Sequence, residues 1–270
     1  MKLAVYFQNG QLRTDPEYLK LRSELLGAGC QLYETETVPQ PDTDMLLSVG
    51  GDGTFLSASS LVAGTDIPVM GVNLGRMGFL SENRPANIAS PLLRGQYTIE
   101  SREMLEVEVA DYDGIIEKPY ALNEISVHRK GAAMLGIEAV VDGEKLPTYW
   151  ADGILVATSS GSTAYSLSVG GPICTPDAKV LIVSPIAPHN LNLRPLIVPS
   201  TAKVSLSFRS RDEELMLTMD NRNYVIDRNC KINVKLAYFS LKRVRLEKSN
   251  FIEALQSKLF WGEDFRNESE

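Results

Sequence analysis

The stretch from Met45 to Ala63 constrains the fold more than any other part of the chain. Met45-Leu46-Leu47-Ser48-Val49 is an apolar run with the length of a strand buried on both faces, and Phe55 to Ala63 can continue as a helix. Between them stands Gly50-Gly51-Asp52-Gly53-Thr54, so the stretch reads as a strand, a tight glycine turn and a helix start. Glycines around a single acid let the backbone approach a bulky ligand, and the N–H groups at a helix start favour phosphate oxygens. Asp52, placed there, can reach a substrate hydroxyl or a metal-bound phosphate. An Asp-Gly turn without a ligand is the plain alternative, but two preceding glycines at the end of a buried strand favour a site.

The flanking sequence extends this unit into a βα alternation. Leu3 to Phe7 reads as a first buried parallel strand, and Asp15-Pro16 supplies an N-cap with proline at the first helical position. Tyr18, Leu21 and Leu25 then recur at helical spacing up to Gly27. A short strand at Cys30 to Tyr33 and a polar connection lead back to the strand before Asp52, which therefore sits at the carboxyl end of its strand, where parallel sheets bind ligands. Ile67 to Asn73 is a further strand, followed by Leu74-Gly75-Arg76-Met77-Gly78-Phe79-Leu80. Gly71, Gly75 and Gly78 do not make a G-x-G-x-x-G fingerprint, yet a Gly-Arg turn after a strand can hold a phosphate through Arg76, unless that arginine is simply a surface residue.

Around Gly95 the texture changes. From Tyr97 to Leu246 short alternating, β-branched runs predominate, with Asp113-Gly114 and Asp142-Gly143 as hairpin turns. The expected organisation is an α/β N-terminal domain with a parallel, Rossmann-like sheet over residues 1–96, and a β-rich C-terminal domain over 97–248. A terminal helix from Phe251 to Phe260, capped by Asn250 and burying Phe251, Ile252, Leu255 and Leu259, brings 249–270 back to the first domain.

One stretch of the β-rich part is not strand-like. After Asp152-Gly153 a strand runs into Thr158-Ser159-Ser160-Gly161-Ser162-Thr163-Ala164-Tyr165-Ser166-Leu167-Ser168, closed by Gly170-Gly171-Pro172. So dense a series of hydroxyls reads as an ordered hydrogen-bonding loop with a helical turn, suited to ribose and amide groups. Asn123-Glu124 ends a short strand and by itself reads as an exposed strand end, and His189 reads as a structural histidine. No Ser/His/Asp arrangement and no metal-ligand spacing emerges, so no protein metal ligand is expected.

Composition narrows the partners. A net charge of −7 with no basic block gives nucleic acid or an anionic membrane no electrostatic purchase, so positive charge for a phosphate must be local. Cys30, Cys174 and Cys230 are far apart and read as reduced core residues. The apolar N-terminus turns polar after Phe7, and no run approaches the ~18 apolar residues of a membrane span, so a cytoplasmic protein is expected.

With these motifs in order, the chain resembles the bacterial-type NAD kinases. The resemblance rests on Gly50-Gly51-Asp52-Gly53-Thr54, on Asn73-Leu74-Gly75 with Gly78-Phe79-Leu80, on Asn123-Glu124, on Asp152-Gly153, on the hydroxyl-rich stretch, and on Pro188-His189 with Arg194-Pro195. The first motif is shared with lipid kinases and phosphofructokinases, and the hydroxyl-rich stretch selects NAD kinase. The resemblance implies ATP-dependent phosphorylation of the 2′-hydroxyl of the NAD adenosine ribose, with Mg2+ or another divalent cation accompanying ATP, an active site between two domains, and a dimer or tetramer. It implies that Asp52 activates the hydroxyl and that Gly50, Gly51, Gly53, Thr54, Arg76 and Phe79 meet the nucleotide. Asn123 and Glu124 would hold adenosine, and Ser160, Thr163, Ala164, Tyr165 and Ser168 would line the dinucleotide site, with Ala187 close by and Asp152 towards nicotinamide. The chain departs from the family at Thr158-Ser159-Ser160, where Thr-Pro-Thr is usual, and at Asp220-Asn221-Arg222, where Asp-Gly-Gln is usual and Arg222 could face a phosphate. A lipid kinase and a dinucleotide-binding sensor without turnover are the competing readings.

Overall fold

The computed structural model describes residues 1–75, 78–246 and 251–262. The chain begins β1 (Lys2–Phe7), α1 (Pro16–Gly27), β2 (Gln31–Glu34), β3 (Met45–Val49), α2 (Asp52–Val62), β4 (Val69–Val72) and the short α3 (Ala89–Leu93). It continues through β5 (Tyr97–Ala110), β6 (Tyr120–Ala121), β7 (Glu124–Arg129), β8 (Leu135–Val141), β9 (Glu144–Lys145), β10 (Tyr149–Ala151) and β11 (Gly153–Thr158). After α4 (Tyr165–Ser168) come β12 (Val180–Ile186), β13 (Leu196–Pro199), β14 (Val204–Arg209), β15 (Glu214–Met219), β16 (Arg222–Asp227), β17 (Lys231–Leu246) and α5 (Phe251–Leu259). Two compact units result: Met1–Ser101 together with the chain from Lys242 onward, and Arg102–Leu241. The division falls inside the long strands β5 and β17.

In the first unit β2, β1, β3 and β4 lie side by side, all parallel, and the last part of β17 joins β4 in parallel at Arg243 and Val69. Every residue of β3 is buried, as the unbroken apolar run requires. Leu3, Val5, Phe7, Met45, Leu47 and Val49 share a core with Tyr18, Leu21 and Leu25 of α1 and Leu92 of α3. The alternate residues Ala4, Leu46 and Ser48 are equally buried, and α2 lies against β3 and β4 with Phe55, Ala58 and Val62 turned inward. α1 starts where Asp15-Pro16 predicts: the Asp15 carboxylate accepts from the N–H groups of Glu17 and Tyr18, a cap that stabilises such a helix by about 1 kcal/mol.

The second unit is a pair of antiparallel sheets. One runs β13-β12-β11-β7-β15-β16, and the other includes β10, β8, β14 and β17. Both contribute to one core, with Ile154 and Val156 of β11, Val127 of β7 and Leu217 of β15 meeting Ile137, Val204 and Ile232. The other parity of β11, Leu155 and Ala157, packs with Ile182, Val169 and Cys174. The hydroxyl-rich segment is thereby laid over the outer face of β11 and β12. The α/β unit, the β-rich unit and the return of the last helix to the first unit are as the sequence reads.

Local differences have physical causes. Asp142-Gly143 makes a tight hairpin between β8 and β9, both residues at positive φ (49° and 88°). Asp113-Gly114 does not: β5 and β6 pair antiparallel, but the connection spans residues 111–119 and the positive φ (60°) falls on Asp111. In α5 Leu255 is buried, whereas Ile252 is 45% exposed and half-buried Lys258 lies along the inward side. Asn250 lies outside the described residues. Cys30, Cys174 and Cys230 are free thiols.

Candidate active site

In the first unit the site is built on the β3–α2 turn. Gly50 takes φ +149°, a region that L side chains rarely enter, and a Cβ there would stand 2.3 Å from the Thr54 hydroxyl oxygen. Gly51 occupies the N-cap position of α2, Asp52 begins the helix, Gly53 is exposed in its first turn and Thr54 is buried. Three tertiary hydrogen bonds hold the Asp52 carboxylate. Its Oδ2 accepts from Phe79 N (2.8 Å), and its Oδ1 accepts from Leu80 N (3.1 Å) and Ser81 N (2.8 Å). A carboxylate has about four acceptor sites, so the remaining capacity lies on Oδ2.

The segment that supplies these N–H groups is stitched at both ends. Asn73 Nδ2 donates to Ser81 O (2.7 Å), its Oδ1 accepts from Gly75 N (2.8 Å), and Ser81 Oγ donates to Gly50 O (2.7 Å). Gly78 is obligatory because a Cβ there would lie 1.8 Å from Asp52 Oδ1. Arg243, 5% exposed and paired with Glu82 at 2.6 Å, donates to Phe79 O and Leu80 O, both at 3.2 Å. Lys258 donates to Gly78 O and sits 4.8 Å from the centre of the Phe79 ring, which also contacts Phe251 at 6.4 Å. Burial lowers the Lys258 pKa, against the pull of Glu82 and Asp52. Arg76 lies outside the described residues.

In the second unit a different acid organises the neighbourhood of Asn123 and Glu124, which are buried and not at an exposed strand end, because the hydroxyl-rich segment packs over them. Asp220, at positive φ (51°) in the β15–β16 turn, accepts from Leu122 N (2.8 Å), Asn123 N (2.8 Å) and Glu124 N (3.2 Å). Burial raises the Asp220 pKa against these donors. Glu124 is pushed up to about 8, first by burial and then by Asp220, while the N–H of Tyr165 acts in the opposite sense. Near neutral pH Glu124 is therefore mostly a neutral carboxyl, able to donate as well as accept. Asn123 Oδ1, Glu124 Oε2 and Ser166 Oγ are buried with no hydrogen-bond partner among the described residues. Such atoms are costly unless a ligand completes them.

The hydroxyl-rich segment closes on this pair. Thr158 Oγ1 donates to Leu122 O (2.7 Å), Thr158 N donates to Asn123 O (2.9 Å), and Gly161 packs directly under that same carbonyl. Ser160 and Thr163 bound a single 3-10 turn, Ala164 follows it, and Tyr165 begins α4 with its ring stacked on His128 at 5.8 Å. Burial lowers the His128 pKa, opposed by Asp152. Asp152 pairs with Arg129 at 2.7 Å and its N–H donates to Ile186 O (3.0 Å), which sets Ala187, at φ +45°, beside it. Ser168 is exposed at the end of α4, and His189 is exposed with its N–H on Trp150 O. Arg222 donates to the main-chain carbonyls of Lys118 and Tyr120, so its guanidinium is engaged in holding backbone.

Sequence reading missed Arg243, Lys258 and His128, and took Asp220 only as a point of departure. Signals were present. Arg243 shares strand parity with apolar Leu241, and Lys258 falls seven residues after Phe251, on the same helix side.

The arrangement has known counterparts. A model of the ATP-NAD kinase N-terminal domain matches residues 8–95, and one of the ATP-NAD kinase C-terminal domain matches residues 122–246. The chain is 42% identical over 229 residues to an NAD kinase of Flavobacterium psychrophilum, covering 83% of this chain and 78% of that protein. It is 33% identical over 294 residues to an NAD kinase of Flavobacterium johnsoniae, covering 99% and 100%. Among solved structures, an NAD kinase from Archaeoglobus fulgidus in complex with ATP has a TM-score of 0.76 at 26% identity over 92% of this chain and 95% of that one. Yeast NADH kinase complexed with NADH shares the fold at a TM-score of 0.85 and 22% identity, covering 99% and 89%.

Proposed function

The chain belongs to the ATP-NAD kinase family, whose reaction is the phosphorylation of NAD to NADP, and we propose that Asp52 is the group that meets the acceptor hydroxyl. The 2′-hydroxyl of the adenosine ribose donates its hydrogen bond to Asp52 Oδ2. Its oxygen attacks the γ-phosphorus of ATP, the bond to the β-bridging oxygen breaks, the proton passes to the carboxylate, and ADP and NADP leave. The observation that carries this reading is the fixed Asp52 carboxylate, with its remaining acceptor capacity on one oxygen.

Gly50, Gly51, Gly53, Thr54, Arg76 and Phe79 are read as the nucleotide-contacting set around it. Asn123 and neutral Glu124 suit the adenosine, whose ring offers both donors and acceptors, and Ser160, Thr163, Ala164, Tyr165, Ser168, Ala187 and Asp152 serve the rest of the dinucleotide. The divalent cation is read as one carried by the triphosphate. Mg2+ bound there would neutralise charge on the transferring phosphoryl group. No described helix is long and apolar enough to cross a membrane. A homo-oligomer in the cytoplasm completes the reading.

The test is to incubate the purified protein with NAD, ATP and Mg2+ and to detect NADP with an NADP-specific dehydrogenase. Asp52→Asn should lower turnover by ~10²-fold or more while leaving a folded protein. Near-normal turnover in that variant would remove Asp52 from the chemistry, and tight NAD binding without ATP consumption by the wild type would favour a sensor.

A further inference from the structure

We propose that Lys258 and Arg243 are positioning residues that aim the Asp52 carboxylate through the backbone between Gly78 and Ser81. The inference rests on the reading of Asp52 just given. Three successive peptide units separate the two cations from the acid, and each is gripped at both ends. The unit joining Gly78 to Phe79 presents its carbonyl to Lys258 and its N–H to Asp52 Oδ2. The next presents Phe79 O to Arg243 Nη2 (3.2 Å) and Leu80 N to Asp52 Oδ1 (3.1 Å). The third presents Leu80 O to Arg243 Nη2 (3.2 Å) and Ser81 N to Oδ1 (2.8 Å).

In a trans peptide the C=O and N–H point in opposite directions, so cation, peptide dipole and carboxylate fall in line. A cation on the carbonyl polarises the unit and strengthens its N–H as a donor. The segment therefore transmits positive charge to Asp52 without placing a cationic side chain against it, and leaves Oδ2 open on the substrate side. Arg243 supports two of the three units and is locked by Glu82 at 2.6 Å and Glu100 at 3.5 Å. Lys258 supports the third, the one whose N–H reaches Oδ2. Neither cation touches a reacting atom.

Lys258 can be changed without emptying a core. Lys258→Met should lower kcat by about ten- to a hundredfold, the scale of a displaced reacting group, with the urea midpoint unchanged. KM for NAD and for ATP should stay within about twofold. Lys258→Arg, which keeps charge and donor, should restore most of the rate, and Lys258→Gln, which keeps only a donor, should fall between. On an Asp52→Asn background Lys258→Met should cost less than about twofold more, because the group it aims is gone. Wild-type kcat in Lys258→Met, a loss confined to KM for ATP, equal damage from Lys258→Arg, or full additivity with Asp52→Asn would overturn the inference. Normal turnover by Asp52→Asn alone would instead remove the reading beneath it.

Discussion

Asp52 and Asp220 are held by the same device and used for opposite ends. Each accepts from three consecutive backbone N–H groups, residues 79–81 for one and 122–124 for the other. Behind the Asp52 segment the carbonyls meet Lys258 and Arg243, and the carboxylate is only half-buried. Behind the Asp220 segment Thr158 donates to the carbonyls of Leu122 and Asn123; Asp220 is half-buried as a residue too, but burial of its carboxyl raises its pKa. The first arrangement presents an acid; the second spends one to fix a neighbouring strand end and, by its charge, helps keep Glu124 protonated. A buried carboxylate in a nest of N–H groups is thus no mark of catalysis by itself. What distinguishes the two is which atoms remain to be satisfied: an open side of the acid in one case, the orphaned Asn123 Oδ1 and Glu124 Oε2 on the strand end it holds in the other.

Asp220→Ala leaves three N–H groups without their acceptor and should cost about 3–5 kcal/mol of stability, read as a lower urea midpoint. Gly78→Ala should expel the carboxylate that its Cβ would meet, lowering kcat by roughly ten- to a hundredfold with a smaller loss of stability than Asp220→Ala. A large stability loss with normal kcat in the surviving fraction would make the segment mere scaffold. The smallest effect concerns Glu124. Its folded pKa, raised to about 8 from 4.5, means that the folded state holds the proton longer than the unfolded one. Its contribution is therefore most favourable below pH 4.5 and is lost as pH rises towards 8. Glu124→Gln should narrow the difference in urea midpoint between pH 5.5 and 8.5, and an unchanged difference would place the titration elsewhere.

The two regions also differ in how far the sequence discloses them. β3, the glycine turn and α2 are legible because burial on both faces, glycine and helical spacing are local signals, as are Asp15-Pro16 and the hydroxyl series after Thr158. The partners of Asp52 stand 27 to 29 residues away in a stretch without periodicity, and those of Asp220 lie 96 to 98 residues upstream. Backbone N–H groups carry no residue code, so neither nest could be read from side-chain identity. Lys258 escaped for a related reason: apolar spacing assigned the inward side of α5 to Ile252, whereas a carbonyl to bind and an aromatic ring to cover draw a lysine inward.

The contact between Lys258 and Gly78 joins residues 180 apart in sequence. A ribosome adding roughly 5–20 residues per second needs on the order of 10–40 s to travel that distance. For all of that interval the nascent chain carries Asp52 and its glycine turn without the last clamp on the segment that aims it. Competence for phosphoryl transfer thus arrives late in synthesis, and a chain broken off before α5 would carry the whole first motif yet turn over slowly.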